Sequence, residues 1–147
     1  VPIVLYDRER HALGVCHAGW RGTVNGSAAE ALDAMSRAYG TRPNEVMAGI
    51  GPSIGPASYE VGDEVLLAVQ HSRQGAVRYV LYPNVGDKPH FDLWAANAGQ
   101  LMEAGVPASQ IEVSGVDTAT NLHDFFSHRA EHGLCGLFAM VAWLQPR

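Results

Sequence analysis

The densest chemistry in the sequence is Cys16-His17-Ala18-Gly19-Trp20-Arg21-Gly22, a thiol, an imidazole and a guanidinium set among glycines. Such a segment fits the point where a strand ends and a helix begins, which is where functional sites concentrate. The glycines let backbone approach a ligand closely, and Arg21 offers a fork suited to phosphate. The first-turn amides of a following helix would add anion donors. As neighbours on a strand, Cys16 and His17 point to opposite faces, so only one should face a site and the two cannot readily share a metal. The same residues also read as packing, with His17 and Trp20 in a core and Arg21 capping a turn.

Two further constellations compete with it. Gly51-Pro52-Ser53-Ile54-Gly55 matches the Gly-x-Ser-x-Gly pattern of a nucleophile elbow, and Asp117 then His123 or His128 follow in hydrolase order. An elbow needs a helix straight after its serine, and Gly55-Pro56-Ala57-Ser58 is a poor helix start, so a turn or pocket wall is the expected role. His123, His128 and His132 form a possible metal set, the last two four residues apart, but Gly133 and Phe125-Phe126 argue against the long helix that would align them. The seven histidines include no His-x-His pair, which disfavours a four-copper oxidase centre.

The elements that must position these residues follow from hydrophobic spacing. Runs at 2–7 and 12–18, separated by Arg8-Glu9-Arg10-His11, predict a hairpin whose strands lie inside a sheet. Ala28, Leu32, Met35 and Tyr39 predict one buried stripe on a helix from Thr23 to Tyr39, stopped by Gly40. A strand over Val46 to Ile50 leads into the shaped loop Gly51–Pro56. Val61, Val65, Leu66 and Val69 mark a second helix, with Asp63 and Glu64 in its first turn. Val77 to Tyr82 reads as a strand. Asp92 caps a third helix carrying Leu93, Ala96, Gln100, Leu101 and Ala104, closed by Gly105 and Pro107. Ile111 to Val113 and Leu137 to Trp143 complete the strands. Alternating elements without repeats or linkers predict one α/β or α+β unit with a mixed sheet.

Composition narrows the function classes. The chain has 147 residues, 47% hydrophobic and 17% charged, with a net charge of −5 and singly scattered basic residues. A nucleic-acid or membrane partner is not expected. Two distant cysteines, Cys16 and Cys135, suit a reducing compartment, and a cytoplasmic location is the expectation. The opening Val1-Pro2-Ile3-Val4-Leu5 is a buried-strand pattern with no initiator Met, so upstream sequence is expected.

Taken in order, His17-Ala18-Gly19-Trp20-Arg21-Gly22, Gly51 to Pro56 running into Tyr59-Glu60-Val61, Asp92-Leu93 and Phe125-Phe126-Ser127-His128-Arg129 resemble the laccase-domain family. That family is also called the multicopper polyphenol oxidase or purine nucleoside phosphorylase family and includes the peptidoglycan editing factor. The resemblance covers essentially the whole chain. It implies an α+β fold of layered mixed β-sheets flanked by helices, with residues 1–147 a single laccase-type domain, the C-terminal portion of a longer protein. It also implies a purine nucleoside enzyme with phosphorylase and adenosine deaminase activities at a zinc site of two His and one Cys, copper entering through the family's name.

Carried over residue by residue, the resemblance makes His17 a metal ligand, with the Cys and first His ligands expected upstream of Val1; Cys16 is not that cysteine. His17, Arg21 and Asp117 become catalytic candidates. Trp20, Gly22, Ser53, Glu60, Phe126, His128 and Arg129 become substrate-binding candidates. Asp117-Thr118 stands where the family usually has Cys-Thr, and Leu134-Cys135-Gly136-Leu137 where it has Thr-Gly-Arg. Two His and one Cys leave an open zinc position, where a bound water drops toward pKa ~7 and could attack C6 of adenosine. Phosphorolysis needs phosphate beside the anomeric carbon and a proton for the departing purine, work for Arg21 and an acid such as Asp117 or Glu60. The expected partners are nucleoside, phosphate and the missing N-terminal part of the protein. The alternatives are a serine hydrolase at Ser53, a copper polyphenol oxidase, or a non-catalytic structural fragment. With two ligands elsewhere, the chain alone is expected to hold no stoichiometric zinc and to turn over no nucleoside.

Overall fold

A computed structural model describes residues 1–72, 75–84 and 86–146 of the chain. Strands β1 (Pro2–Asp7) and β2 (Ala12–His17) form the predicted hairpin, in antiparallel register from Pro2 opposite His17 to Asp7 opposite Ala12. On its other side β1 pairs antiparallel with β3 (Val46–Ile50), and β3 pairs in parallel with β6 (Ile111–Val113). The four-stranded sheet therefore runs β2-β1-β3-β6. β1 is interior as expected, whereas β2 is an edge strand among the described residues.

Helix packing gives the sheet its buried face. On β1 the alternation is strict, with Ile3, Leu5 and Asp7 fully buried between half-buried neighbours. Helix α2 (Ser27–Tyr39) lays Ala28, Leu32 and Met35 on that face, and α4 (Leu93–Glu103) adds Ala96 and Leu101. The single helix expected from Thr23 is in fact two. α1 (Trp20–Asn25) already begins at Trp20 and ends at Gly26, whose φ of 82° breaks the helix before α2 starts. Tyr39 does not extend the stripe: it lies in the last turn before Gly40 at φ 68° and is exposed.

The crossover from β3 to β6 carries α3 (Asp63–Gln70) and a two-stranded ribbon of β4 (Val80–Leu81) and β5 (His90–Phe91). Val61 precedes α3 rather than opening it, because its N–H donates to the Pro89 carbonyl at 2.8 Å. The strand expected over Val77 to Tyr82 is mostly a 3-10 turn, Ala76–Tyr79, with only two ladder residues after it. Asp92 caps α4 as predicted, accepting the Ala95 N–H at 2.9 Å. Leu137 to Trp143 forms no strand: it runs without ladder partners among the described residues, and Leu137 and Trp143 are 93% and 75% exposed. The chain is a mixed α+β structure, and no helix among the described residues is long and apolar enough to cross a membrane.

Candidate functional site

A cleft of about 900 Å³ opens at the end of the sheet where β2 hands over to α1. His17 and Trp20 supply one wall, Ser53 and Tyr59 the floor, and the segment from Phe126 to Arg129 with residues 135–140 the opposite wall. The first wall is held from beneath by α4. Asn97 Nδ2 donates to Thr23 Oγ1 at 2.9 Å, Gln100 Nε2 donates to the Thr23 carbonyl, and Thr23 Oγ1 donates to the Ala18 carbonyl at 3.3 Å. Thr23 and Asn97 are fully buried, so these bonds are made where water cannot compete.

The floor is built by backbone pairing. Ser53 donates its N–H to the Val116 carbonyl at 3.2 Å and accepts the Thr118 N–H at 3.1 Å, an isolated parallel bridge beyond the end of β3. Tyr59 is tied to β5, its carbonyl accepting the Phe91 N–H at 3.1 Å. Aromatic contacts tie the far wall together. Phe125 meets Phe138 edge to face at 5.4 Å, and Gly136 lies so close to the Phe126 ring that an added Cβ would come within 2.6 Å of it.

Burial against the cleft wall pushes the His17 imidazole below its ordinary value, leaving it neutral at physiological pH and able to accept a proton or a metal. Burial also pushes the Cys16 thiol up, which keeps it protonated. The expectation that only one of these neighbours faces a site is corrected, since both border the cleft as it wraps the end of the edge strand. Burial raises the Tyr59 phenol as well, against the opposing pull of Arg129 and Arg21. The Arg129 guanidinium lies 5.1 Å over the Tyr59 ring and donates to the Glu60 carbonyl at 2.7 Å.

Of the residues singled out from sequence, His17, Trp20, Ser53, Phe126, His128 and Arg129 converge on this cleft. The others have different work. Arg21 stacks on Trp20 at 4.2 Å and donates to Glu64 at 2.7 Å, just outside the lining. Gly22 serves helix packing, for an added Cβ would meet Ser27 Oγ at 2.9 Å. The Asp117 carboxylate accepts the Ser58 hydroxyl at 2.6 Å and the Ala119 N–H at 2.9 Å, so it builds a turn behind the floor. Glu60 is paired with Lys88 at 2.8 Å, and hydrogen bonding from that ammonium lowers its pKa, the wrong direction for a proton donor.

The hydrolase reading finds no support. No helix follows Ser53, α3 starting only at Asp63, and the Ser53 hydroxyl accepts the Trp94 indole N–H at 2.7 Å instead of meeting a histidine. The histidine trio does not gather either. His123 pairs with the adjacent Asp124, and among the described residues no three His, Cys, Asp or Glu side chains come together to hold a metal. Sequence reasoning missed Tyr59, Trp94, Thr118 and the wall from Cys135 to Met140 as site residues. For Tyr59 a signal existed, an aromatic three residues after the Gly-Pro loop, and Thr118 and Cys135 to Leu137 stand at positions where the family has its own motifs; for Trp94 there was none.

A family model described as multi-copper polyphenol oxidoreductase laccase matches residues 1–145. Over 129 residues the chain is 40% identical to a purine nucleoside phosphorylase of Bacteroides thetaiotaomicron, covering 88% of this chain and 48% of that protein. It is also 40% identical over 129 residues to adenosine deaminase RL5 from an unknown prokaryotic organism, covering 88% of this chain and 49% of that one. The solved structure of the hypothetical protein YfiH of Bacillus licheniformis superposes with a TM-score of 0.81 at 36% identity, over 90% of this chain and 49% of that chain. The chain thus spans about half the length of the curated relatives it matches. A match running from one end of the chain almost to the other, on a fold that a solved relative shares, has one reading: the chain belongs to the multi-copper polyphenol oxidoreductase laccase family.

Proposed function

We propose that the protein carrying this chain is a purine nucleoside phosphorylase with adenosine deaminase activity, working in the cytoplasm, and that residues 1–147 are the C-terminal portion of its laccase-type domain. One observation carries the reading: a mostly apolar cleft into which Trp20, Tyr59 and Phe126 bring aromatic faces beside His17, His128 and Arg129. A nucleoside needs that combination, flat apolar surfaces for the base and a few convergent polar groups for ribose and phosphate. Arg129 over Tyr59, with Arg21 against Trp20, makes the mouth attractive to phosphate. The names of the relatives, phosphorylase and deaminase, agree with a purine nucleoside as ligand.

Zinc does not fit this chain by itself. A catalytic zinc takes three protein ligands, and among the described residues His17 stands without two companions at metal distance. The tasks assigned here to the chain's own side chains are therefore binding, orientation and, at neutral His17, proton or ligand acceptance. The natural full-length protein incubated with adenosine or inosine, with and without phosphate, is expected to release free purine only with phosphate present, and inosine from adenosine without it. Chromatography reads both. Product no greater than in a His17→Ala control would overturn the assignment.

A further inference from the structure

Ser53 lines the cleft yet is only 7% exposed, and its backbone is held on both sides by the bridge to Val116 and Thr118. Its Oγ accepts the Trp94 indole N–H at 2.7 Å. Trp94 is itself fixed in the first turn of α4, next to the Asp92 cap, and packs on Gly55, where an added Cβ would come within 3.0 Å of the ring. The missing Cβ at Gly55 is what lets the indole reach Ser53.

A serine hydroxyl has one donor and two acceptor lone pairs. The indole bond occupies one lone pair and turns the O–H away from Trp94. Among the described residues this hydrogen meets no acceptor. At the edge of the cleft, a donor with no protein acceptor is free to pair with an acceptor atom of a bound ligand. We propose that Ser53 donates a hydrogen bond to an acceptor oxygen of the ligand in the cleft, on the ribose or on phosphate, and that Trp94 is the positioning residue that aims it. The inference rests on the nucleoside-and-phosphate reading and adds to it a specific donor with a set direction. It also explains why a serine in a Gly-x-Ser-x-Gly pattern serves here without a base: its oxygen receives a proton donor where a nucleophile would need an acceptor.

The test is a cycle in the natural full-length protein: Ser53→Ala, Trp94→Phe and both together, with KM for inosine and for phosphate measured separately and thermal unfolding alongside. Ser53→Ala is expected to raise at least one of these KM values about 5-fold or more. Trp94→Phe keeps the ring and loses the N–H; it should raise the same KM by a smaller factor with little change in kcat. The double variant should be no worse than Ser53→Ala alone, the signature of two residues acting through one bond. A rise confined to phosphate assigns the acceptor to phosphate, and one confined to inosine assigns it to ribose. Unchanged KM values in a folded Ser53→Ala protein, or effects that multiply in the double variant, would overturn the proposal. If Ser53→Ala does not fold, a folded Trp94→Phe protein with both KM values unchanged overturns it equally. Absence of any turnover in the natural protein counts against the proposed function alone. The donor is then judged by calorimetric titration with inosine and with inorganic phosphate, where binding weakened by Ser53→Ala supports it and binding that is absent or unaffected refutes it.

Discussion

Asp7 shows how much one buried side chain can decide. It is fully buried at the end of β1, its Oδ1 accepting the Arg10 N–H at 3.0 Å while Oδ2 lies 3.5 Å from the Arg10 guanidinium, which also pairs with Glu45. Burial pushes the carboxyl up, but the Arg10 amide, the Thr41 hydroxyl, the Arg10 charge and the Glu9 amide together outweigh it, and the net pKa is lowered. A lowered folded-state pKa means stability that is present above the ordinary carboxylate range and lost as pH falls through the folded value. Asp7→Asn is expected to cost about 1–3 kcal/mol at neutral pH and to flatten the loss of stability below about pH 4. Urea unfolding followed from pH 6 downward checks this; a variant whose acid limb matches the parent would remove Asp7 from the account. The hairpin was legible from its apolar runs, but an aspartate in the sequence carries no mark of being the buried anchor of a turn.

At the scale of elements, α4 is the member that joins the core to the cleft. One side reaches Thr23 through Asn97 and Gln100, and another receives the 3-10 turn at Tyr79 across Gly99. An added Cβ at Gly99 would collide with the Tyr79 hydroxyl and lie 2.7 Å from its ring. Gly99→Ala should therefore destabilise the chain by about 1–3 kcal/mol, despite the higher helix propensity of alanine. Tyr79→Leu in the same chain should recover part of the loss. Thermal melts of the single and double variants measure both, and a stabilised Gly99→Ala protein would show that the turn does not pack on α4. The apolar spacing and the Asp92 cap made α4 predictable. Which partner each face meets depends on residues dozens of positions away.

For the molecule as a whole, the open side of the sheet matters most. Among the described residues β2 is an edge strand with Val15 half exposed, and Leu134, Leu137, Val141 and Trp143 are exposed along the irregular segment that borders the cleft and reaches His11 through the Gln145 carbonyl at 2.7 Å. An unpaired edge beside exposed apolar side chains invites association. The 147-residue chain expressed by itself is expected to elute larger than a monomer in size-exclusion chromatography, increasingly so with concentration. Val15→Lys should shift it toward monomer. A monodisperse parent chain at high concentration would refute this.

The sequence by itself determined what depends on near neighbours: the hairpin, the capped helices, the Gly-Pro loop and the ordered motifs that carry the family resemblance. Those follow from periodicity, φ-locked residues and local hydrogen bonding, each spanning a few positions. Only the tertiary structure decided which chemistry-bearing side chains share a cleft. Ser53, Trp94 and Thr118 meet because a parallel bridge and a helix bring distant segments together, while Asp117, a plausible acid in the sequence, is taken up by Ser58 from across the fold. Leu137 to Trp143 has the apolar content of a strand, yet a strand needs a neighbour to share its hydrogen bonds, and that is a property of the assembled sheet.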